Sequence, residues 1–153
     1  MKNVILISFL ILFLSKLTFA QESGYGIGVI LGEPTGLSGK IWLDKEQAFD
    51  IGIAAGFFGE GAGLSIHSDY LYHIENLVDW KYKIPFYYGF GVRMRFPTEN
   101  RFNFGVRGVA GLMFFVKNLP VDVFFEISPS FRLLPTTGLD LDVAIGGRYF
   151  FKI

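Results

Sequence analysis

The feature that most restricts the fold of this chain is a two-residue alternation of apolar and polar positions that recurs along its length. Between Phe86 and Phe96, large apolar side chains occupy every second position, and glycine and arginine occupy most positions between them. Successive side chains of a β-strand point to opposite faces, so this period indicates strands with one apolar face. Gly, Pro and Asn separate the segments and favour turns. The pattern predicts an all-β protein.

Eight such segments fit the chain and predict an eight-stranded antiparallel up-and-down transmembrane β-barrel. An even number of strands returns both ends of the barrel to one side. Many segments approach the roughly 9–11 residues that a tilted strand needs to cross a bilayer. The predicted strands are 24–31, 37–44, 48–57, 64–73, 84–96, 101–114, 121–133 and 139–151.

Two positions interrupt this pattern. If the alternation of the sixth segment continues past Val106, the apolar Val109 lies on the polar face. A bulge near Gly108 would return it to the apolar face, so we expect one there. Pro129 lies inside the seventh segment, where it removes a backbone donor, so we expect a bulge or a strand end there.

The first twenty residues have the pattern of a secretion signal. Lys2 precedes an apolar run over 4–14, and Thr18-Phe19-Ala20 offers a cleavage site. A retained membrane anchor is the weaker alternative, because the run is shorter than the about 18 residues that a spanning helix needs. The predicted organisation is a cleavable signal peptide at 1–20 and an outer-membrane barrel domain at 21–153.

Composition excludes several classes of function. Lys plus Arg and Asp plus Glu both number 14, so the chain lacks the basic surplus that a nucleic-acid partner requires. It contains no cysteine, which excludes disulfides and thiolate metal sites. We therefore predict no cofactor, no metal site and no nucleic-acid partner.

The polar face indicates which side of the strands points inward. It carries Gly, Ala and Ser mixed with Arg and Asp, as in Asp140, Asp142 and Arg148 of the last segment. Small residues beside a few large charged ones suit a narrow lumen. The apolar face then meets lipid. A soluble periplasmic lipocalin-like carrier, with the same period and an apolar interior, stays as an alternative.

With eight strands, a signal and an aromatic last strand, the chain resembles the small bacterial outer-membrane barrels of the OmpA membrane-domain and OmpX type over 21–153. The resemblance implies contact with outer-membrane lipid and handling by the barrel-assembly machinery. The assembly signal that it implies comprises Gly146, Tyr149 and Phe151, although the chain continues to Lys152 and Ile153.

If the polar face lines the lumen, equal numbers of cations and anions point inward. Isolated buried charges are costly, so these groups must pair or stay hydrated. We predict a salt-bridged lumen, with a narrow ion- or small-molecule-conducting pore as the alternative. The predicted network comprises Lys40, Asp50, Asp69, Arg93, Arg95, Arg107, Asp122, Glu126, Arg132, Asp140, Asp142 and Arg148.

Aromatic residues near the strand ends predict a girdle at the membrane interface, where amphipathic rings are favoured. Its predicted members are Tyr70, Tyr72, Phe86, Phe96, Phe102, Phe114, Tyr149 and Phe151. Trp80 and Tyr82 belong to the same set.

One local cluster has residue types used in catalysis. Ser65, His67, Asp69 and His73 share one face of the fourth segment. That face is the inward one, away from the bilayer where a lipid hydrolase needs its nucleophile. We therefore expect no enzyme, but a structural or interaction role in the envelope, with an envelope or host protein as an unidentified partner.

Overall fold

The computed structural model describes residues 23–57, 62–75, 84–98 and 102–151. Within them, eight antiparallel strands close into a barrel in sequence order. The strands are β1 (Tyr25–Glu33), β2 (Thr35–Trp42), β3 (Gln47–Gly56), β4 (Gly63–Ile74), β5 (Phe86–Pro97), β6 (Asn103–Phe115), β7 (Val121–Leu134) and β8 (Gly138–Phe151).

The predicted eight-stranded antiparallel barrel is confirmed, and each predicted strand boundary lies within two residues of the observed one. The predicted signal peptide at 1–20 lies outside the described residues, as do Trp80, Tyr82, Lys152 and Ile153. No helix long and apolar enough to cross a membrane occurs in the described part of the chain.

The barrel closes between its first and last strands. Tyr25 of β1 pairs with Phe151 of β8, and Gly28 pairs with Arg148. We call the end that holds Tyr25 and Phe151 the lower end, and the end at which β1 turns into β2 the upper end. At the upper end the predicted turn 33–36 contracts to Pro34, and the Thr35 hydroxyl bonds the Gly32 carbonyl at 2.7 Å.

Side-chain burial alternates along the strands. In β3, Ala48, Asp50 and Ala54 are buried, whereas Phe49 and Ile51 are about half exposed. In β3 the apolar face is therefore on the outer surface of the barrel, and the small and charged residues point into its interior.

Two interior glycines make room for a large ring on the adjacent strand, since Gly52 pairs with His67 and Gly146 pairs with Phe124. A Cβ atom on Gly52 would lie 2.2 Å from the His67 ring, and one on Gly146 would lie 2.3 Å from the Phe124 ring. Any other residue at these positions would displace the ring above it. The small residues of the polar face thus make room for large ones, as an eight-stranded barrel requires.

Neither predicted bulge occurs, although two β6–β7 pairs are missing where Gly108 lies opposite Pro129. The register of β6 against β7 shifts between Phe104 and Gly105, not near Gly108, and Val109 points inward with 4% of its surface exposed. The interior has an apolar layer that accepts Val109, so the alternation needs no correction there. β7 also continues through Pro129 without a bulge against β8, where Pro129 pairs with Leu141.

Candidate functional site

The twelve residues of the predicted network all lie on strands with their side chains toward the interior. Eight are buried, whereas Arg95, Arg132, Asp140 and Asp142 are partly exposed near the upper end. The structure brings most of them together in two groups, one in the middle of the lumen and one at its upper mouth.

Arg148 forms the first part of the middle group. Its Nη2 lies 2.9 Å from Asp50 Oδ2, and its Nη1 lies 3.8 Å from Asp122 Oδ2. Its Nε donates a hydrogen bond to Ser38 Oγ at 2.9 Å, and the guanidinium stacks 4.0 Å from the centre of the Phe124 ring. One side chain therefore ties β8 to β2, β3 and β7.

Arg107 forms the second part of the middle group. Its Nε lies 3.2 Å from Asp69 Oδ1, and its Nη2 donates to Glu126 Oε1 and to Ser128 Oγ, each at 2.7 Å. The Tyr87 hydroxyl donates to Glu126 Oε2 at 3.0 Å. Glu126 thus receives bonds from both β5 and β6, and Arg107 links β4 with β7.

The upper group lies around Arg93, which contacts Asp140 and Asp142 at 2.5 Å each. Arg95 lies 3.3 Å from Asp142. Arg132 lies over Gly138, and its Nε has no hydrogen-bond partner among the described residues.

Two cations of the network, Lys40 and Arg132, have no described carboxylate within ion-pair distance, and Lys40 is the buried one of the two. Its Nζ lies 2.7 Å from His73 Nε2, 3.5 Å from Met113 Sδ and 4.3 Å from the centre of the Trp42 ring. His73 Nδ1 lies 3.0 Å from the carbonyl oxygen of Glu46. A carbonyl only accepts, so Nδ1 carries the proton and Nε2 accepts from Lys40.

An apolar cluster surrounds Lys40 and closes the lower end of the lumen. Sequence reasoning missed it because the polar face was interpreted as small and charged throughout. A usable signal was present: Trp42 lies two residues after Lys40, and Phe150 lies two residues after Arg148, so both share the inward face. Members of the cluster are Ile30, Trp42, Ala48, Leu71, Tyr87, Val109, Met113, Phe124 and Phe150.

Little empty space is left among these side chains. A cavity of about 20 Å³ lies beside Ser38, Asp50 and Arg148. This volume is about what one water molecule needs. The side chains around Arg148 are therefore closely packed.

The cluster with catalytic residue types is dispersed along β4. Ser65, His67, Asp69 and His73 are all buried. His67 Nε2 lies 4.0 Å from Asp69 Oδ2, whereas His73 bonds Lys40 near the lower end, and Ser65 Oγ has no partner among the described residues. No group of three ligating side chains that could hold a metal ion occurs in the described ranges.

The predicted girdle residues lie on the outer surface, and several stack on one another. At the lower end the Phe151 ring lies 5.4 Å from that of Tyr25 across the closure of the barrel and 5.0 Å from that of Tyr149 on its own strand, between centroids. Phe96 and Phe102 lie 5.3 Å apart at the upper end. Tyr70, Tyr72, Phe86 and Phe114 complete the set.

In comparisons with known proteins, no family model, no curated protein and no solved structure matches this chain.

Proposed function

We propose that this chain is an integral outer-membrane β-barrel with a salt-bridged lumen and a structural or interaction role that involves no catalysis. The observation that carries this proposal is an apolar outer surface around a charged interior. Every strand contributes a large exposed apolar side chain, and Phe90 is 67% exposed. Monomeric soluble proteins rarely expose contiguous apolar patches beyond a few hundred Å². A lipid bilayer is the solvent that suits this surface.

The interior argues against the lipocalin-like alternative. A site for a small apolar ligand occupies about 300–1,000 Å³ and is mostly apolar. Here the cavity beside Asp50 and Arg148 measures about 20 Å³. This cavity among the charged side chains is more than tenfold smaller than such a site, which supports a lumen without a carried ligand.

The aromatic residues support the same location. Stacked rings at both ends of the outer surface suit the two membrane interfaces. The proposed assembly signal also lies where the barrel closes, because Tyr149 and Phe151 pack outward beside Tyr25 while Gly146 leaves room for Phe124. We propose the barrel-assembly machinery as the partner during biogenesis, and an envelope or host protein as the partner of the mature barrel.

Electrophoresis of outer-membrane fractions with and without boiling tests the location. A closed barrel embedded in lipid resists unfolding by detergent at room temperature, because its backbone hydrogen bonds are satisfied within the sheet. We expect the protein in the outer-membrane fraction and a mobility change only after boiling. Recovery as a soluble periplasmic protein without a mobility change would contradict the proposal.

Single-channel recording in planar bilayers separates the structural role from the pore alternative. The middle ion pairs and the apolar cluster around Lys40 block the lumen, so we expect no stable single-channel current. A large porin recorded under the same conditions is the positive control for conductance. Stable, reproducible conductance steps from the purified chain would overturn the assignment and favour a pore.

A further inference from the structure

A groove of about 700 Å³ crosses the outer surface between β3 and β8. Its walls are mostly aromatic or aliphatic, including Tyr70, Phe90, Val106 and Phe131. Ser68 contributes a hydroxyl group to this lining, and the Tyr70 hydroxyl bonds Gln47. Gly108 and Pro129 lie side by side in the groove. The volume falls in the range of small-molecule sites.

The backbone pairing of β6 with β7 is interrupted inside this groove. Arg107 pairs with Ser130 and Ala110 pairs with Ile127, but the two pairs between them are missing. The pairing of β7 with β8 is unbroken at Pro129. The donor that proline lacks is therefore the one that would face β6. As a result, the Gly108 carbonyl opposite Pro129 accepts no hydrogen bond from a backbone N–H of β7 in the described part of the chain.

The absence of a side chain at Gly108 is not imposed by packing. A Cβ atom there would meet nothing closer than Pro129 Cγ at 3.8 Å. By contrast, a Cβ on Gly91 of the adjacent strand would lie 2.1 Å from Asp69 Oδ1. Gly91 is required by close contact, whereas Gly108 leaves open space around its own Cα, and its carbonyl has no partner among the described residues.

An unpartnered carbonyl restricts what fills this space. In the hydrocarbon region of a bilayer no water satisfies a free backbone group, and leaving one unpaired is costly. The occupant must therefore be apolar over most of its length and must carry one hydrogen-bond donor. An unsubstituted acyl chain meets the first requirement and fails the second.

We propose that this groove binds a membrane lipid whose hydrocarbon chain carries a hydroxyl group. The chain packs against Phe90, Val106 and Phe131, and the hydroxyl donates a hydrogen bond to the Gly108 carbonyl. This inference rests on the proposed location in a membrane, because only there is the groove filled by hydrocarbon.

Native mass spectrometry of the purified barrel in mild detergent tests the inference, with 12-hydroxystearate and stearate as probes. One net hydrogen bond corresponds to roughly a threefold to tenfold preference. We expect the wild-type barrel to retain the hydroxy acid in preference to stearate by that factor. Equal retention of the two acids, or retention of neither, would overturn the inference.

Three variants test whether the fatty acids bind in this groove. Gly108→Leu fills the groove, so we expect it to lose both acids. Pro129→Ala restores the missing backbone donor to Gly108, so we expect it to keep both acids and to lose the preference. Ala110→Leu adds bulk on the outer face of the same strand outside the groove, and we expect wild-type retention. Undiminished retention by Gly108→Leu would contradict the site.

The proposed function and this inference fail in different ways. A barrel that changes mobility on boiling but shows no hydroxyl preference overturns the inference alone. A chain that shows no mobility change overturns the membrane location. A dimer that forms in the wild type and is abolished by Gly108→Leu, with no acid retained, identifies a second copy as the occupant and overturns the lipid assignment. Pro129→Ala remains informative if Gly108→Leu fails to fold.

Discussion

Replacing Arg148 with methionine is expected to lower the free energy of unfolding by about 3–5 kcal/mol, the usual cost of breaking a buried ion pair from one side. The guanidinium is almost fully buried between Asp50 and Asp122 and also bonds Ser38. Its removal leaves two carboxylates in the lumen without their main partner. Urea titration in lipid vesicles, followed by tryptophan fluorescence, measures the change.

A matched control and a rescue make this result specific. Arg132→Met removes the same group from a partly exposed position at the upper mouth, where solvent screens the charge. We expect a loss below about 1 kcal/mol there. Adding Asp50→Asn and Asp122→Asn to Arg148→Met should recover part of the stability, because the unpaired charges are removed. Equal losses at Arg148 and Arg132 would show that the middle group does not stabilise the barrel.

Placing an arginine on the outer face of the barrel at mid-height is expected to cost about 2–4 kcal/mol, and near a strand end about 0–1 kcal/mol. Ile145 is 51% exposed in the middle of β8, and Ile74 is 39% exposed at the end of β4. Ile145→Arg should therefore destabilise the barrel more than Ile74→Arg. The same urea titration in lipid vesicles measures both.

The two isoleucine variants distinguish lipid from water around the barrel. In water, substitutions at exposed positions usually change stability by no more than about 0.5 kcal/mol. A soluble barrel would consequently show small and similar effects at Ile145 and Ile74. A loss of stability that is larger at mid-height than at a strand end requires a hydrocarbon layer around the barrel. Equal losses at the two positions would refute the membrane location.

The fold was largely predictable because side-chain alternation reports directly on which face of a strand is buried. The alternation between Phe86 and Phe96 assigns each residue of β5 to one of two faces without information from any other strand. The prediction failed at Gly108 because it assumed an interior that is polar at every height. Val109 lies among Tyr87, Met113 and Phe124, and this apolar layer forms only when β5, β6 and β7 are brought together. The observed register shift at Phe104 carries no comparable local signal.

The partners within the lumen were less predictable than the faces. Alternation places Arg107 inward, but it does not say which acid it meets. Asp69 reaches it from β4, two strands away, and Glu126 reaches it from β7. Both contacts of Arg107 depend on the register of the whole closed sheet. Equal numbers of charges also do not ensure pairing, since Lys40 lies against Trp42 and His73 instead of an acid.

The two ends of the lumen differ, because apolar side chains close the lower end and charged side chains line the upper end. Trp42, Phe150 and their neighbours form its floor, while Asp140 and Asp142 at the rim keep contact with solution. Ions on the rim side can screen the bonds of Arg93, whereas those of Arg148 are sheltered from either side. In a membrane, the ionic strength of the compartment at the upper end therefore acts on the ion pairs of the rim and leaves those of Arg148 unchanged.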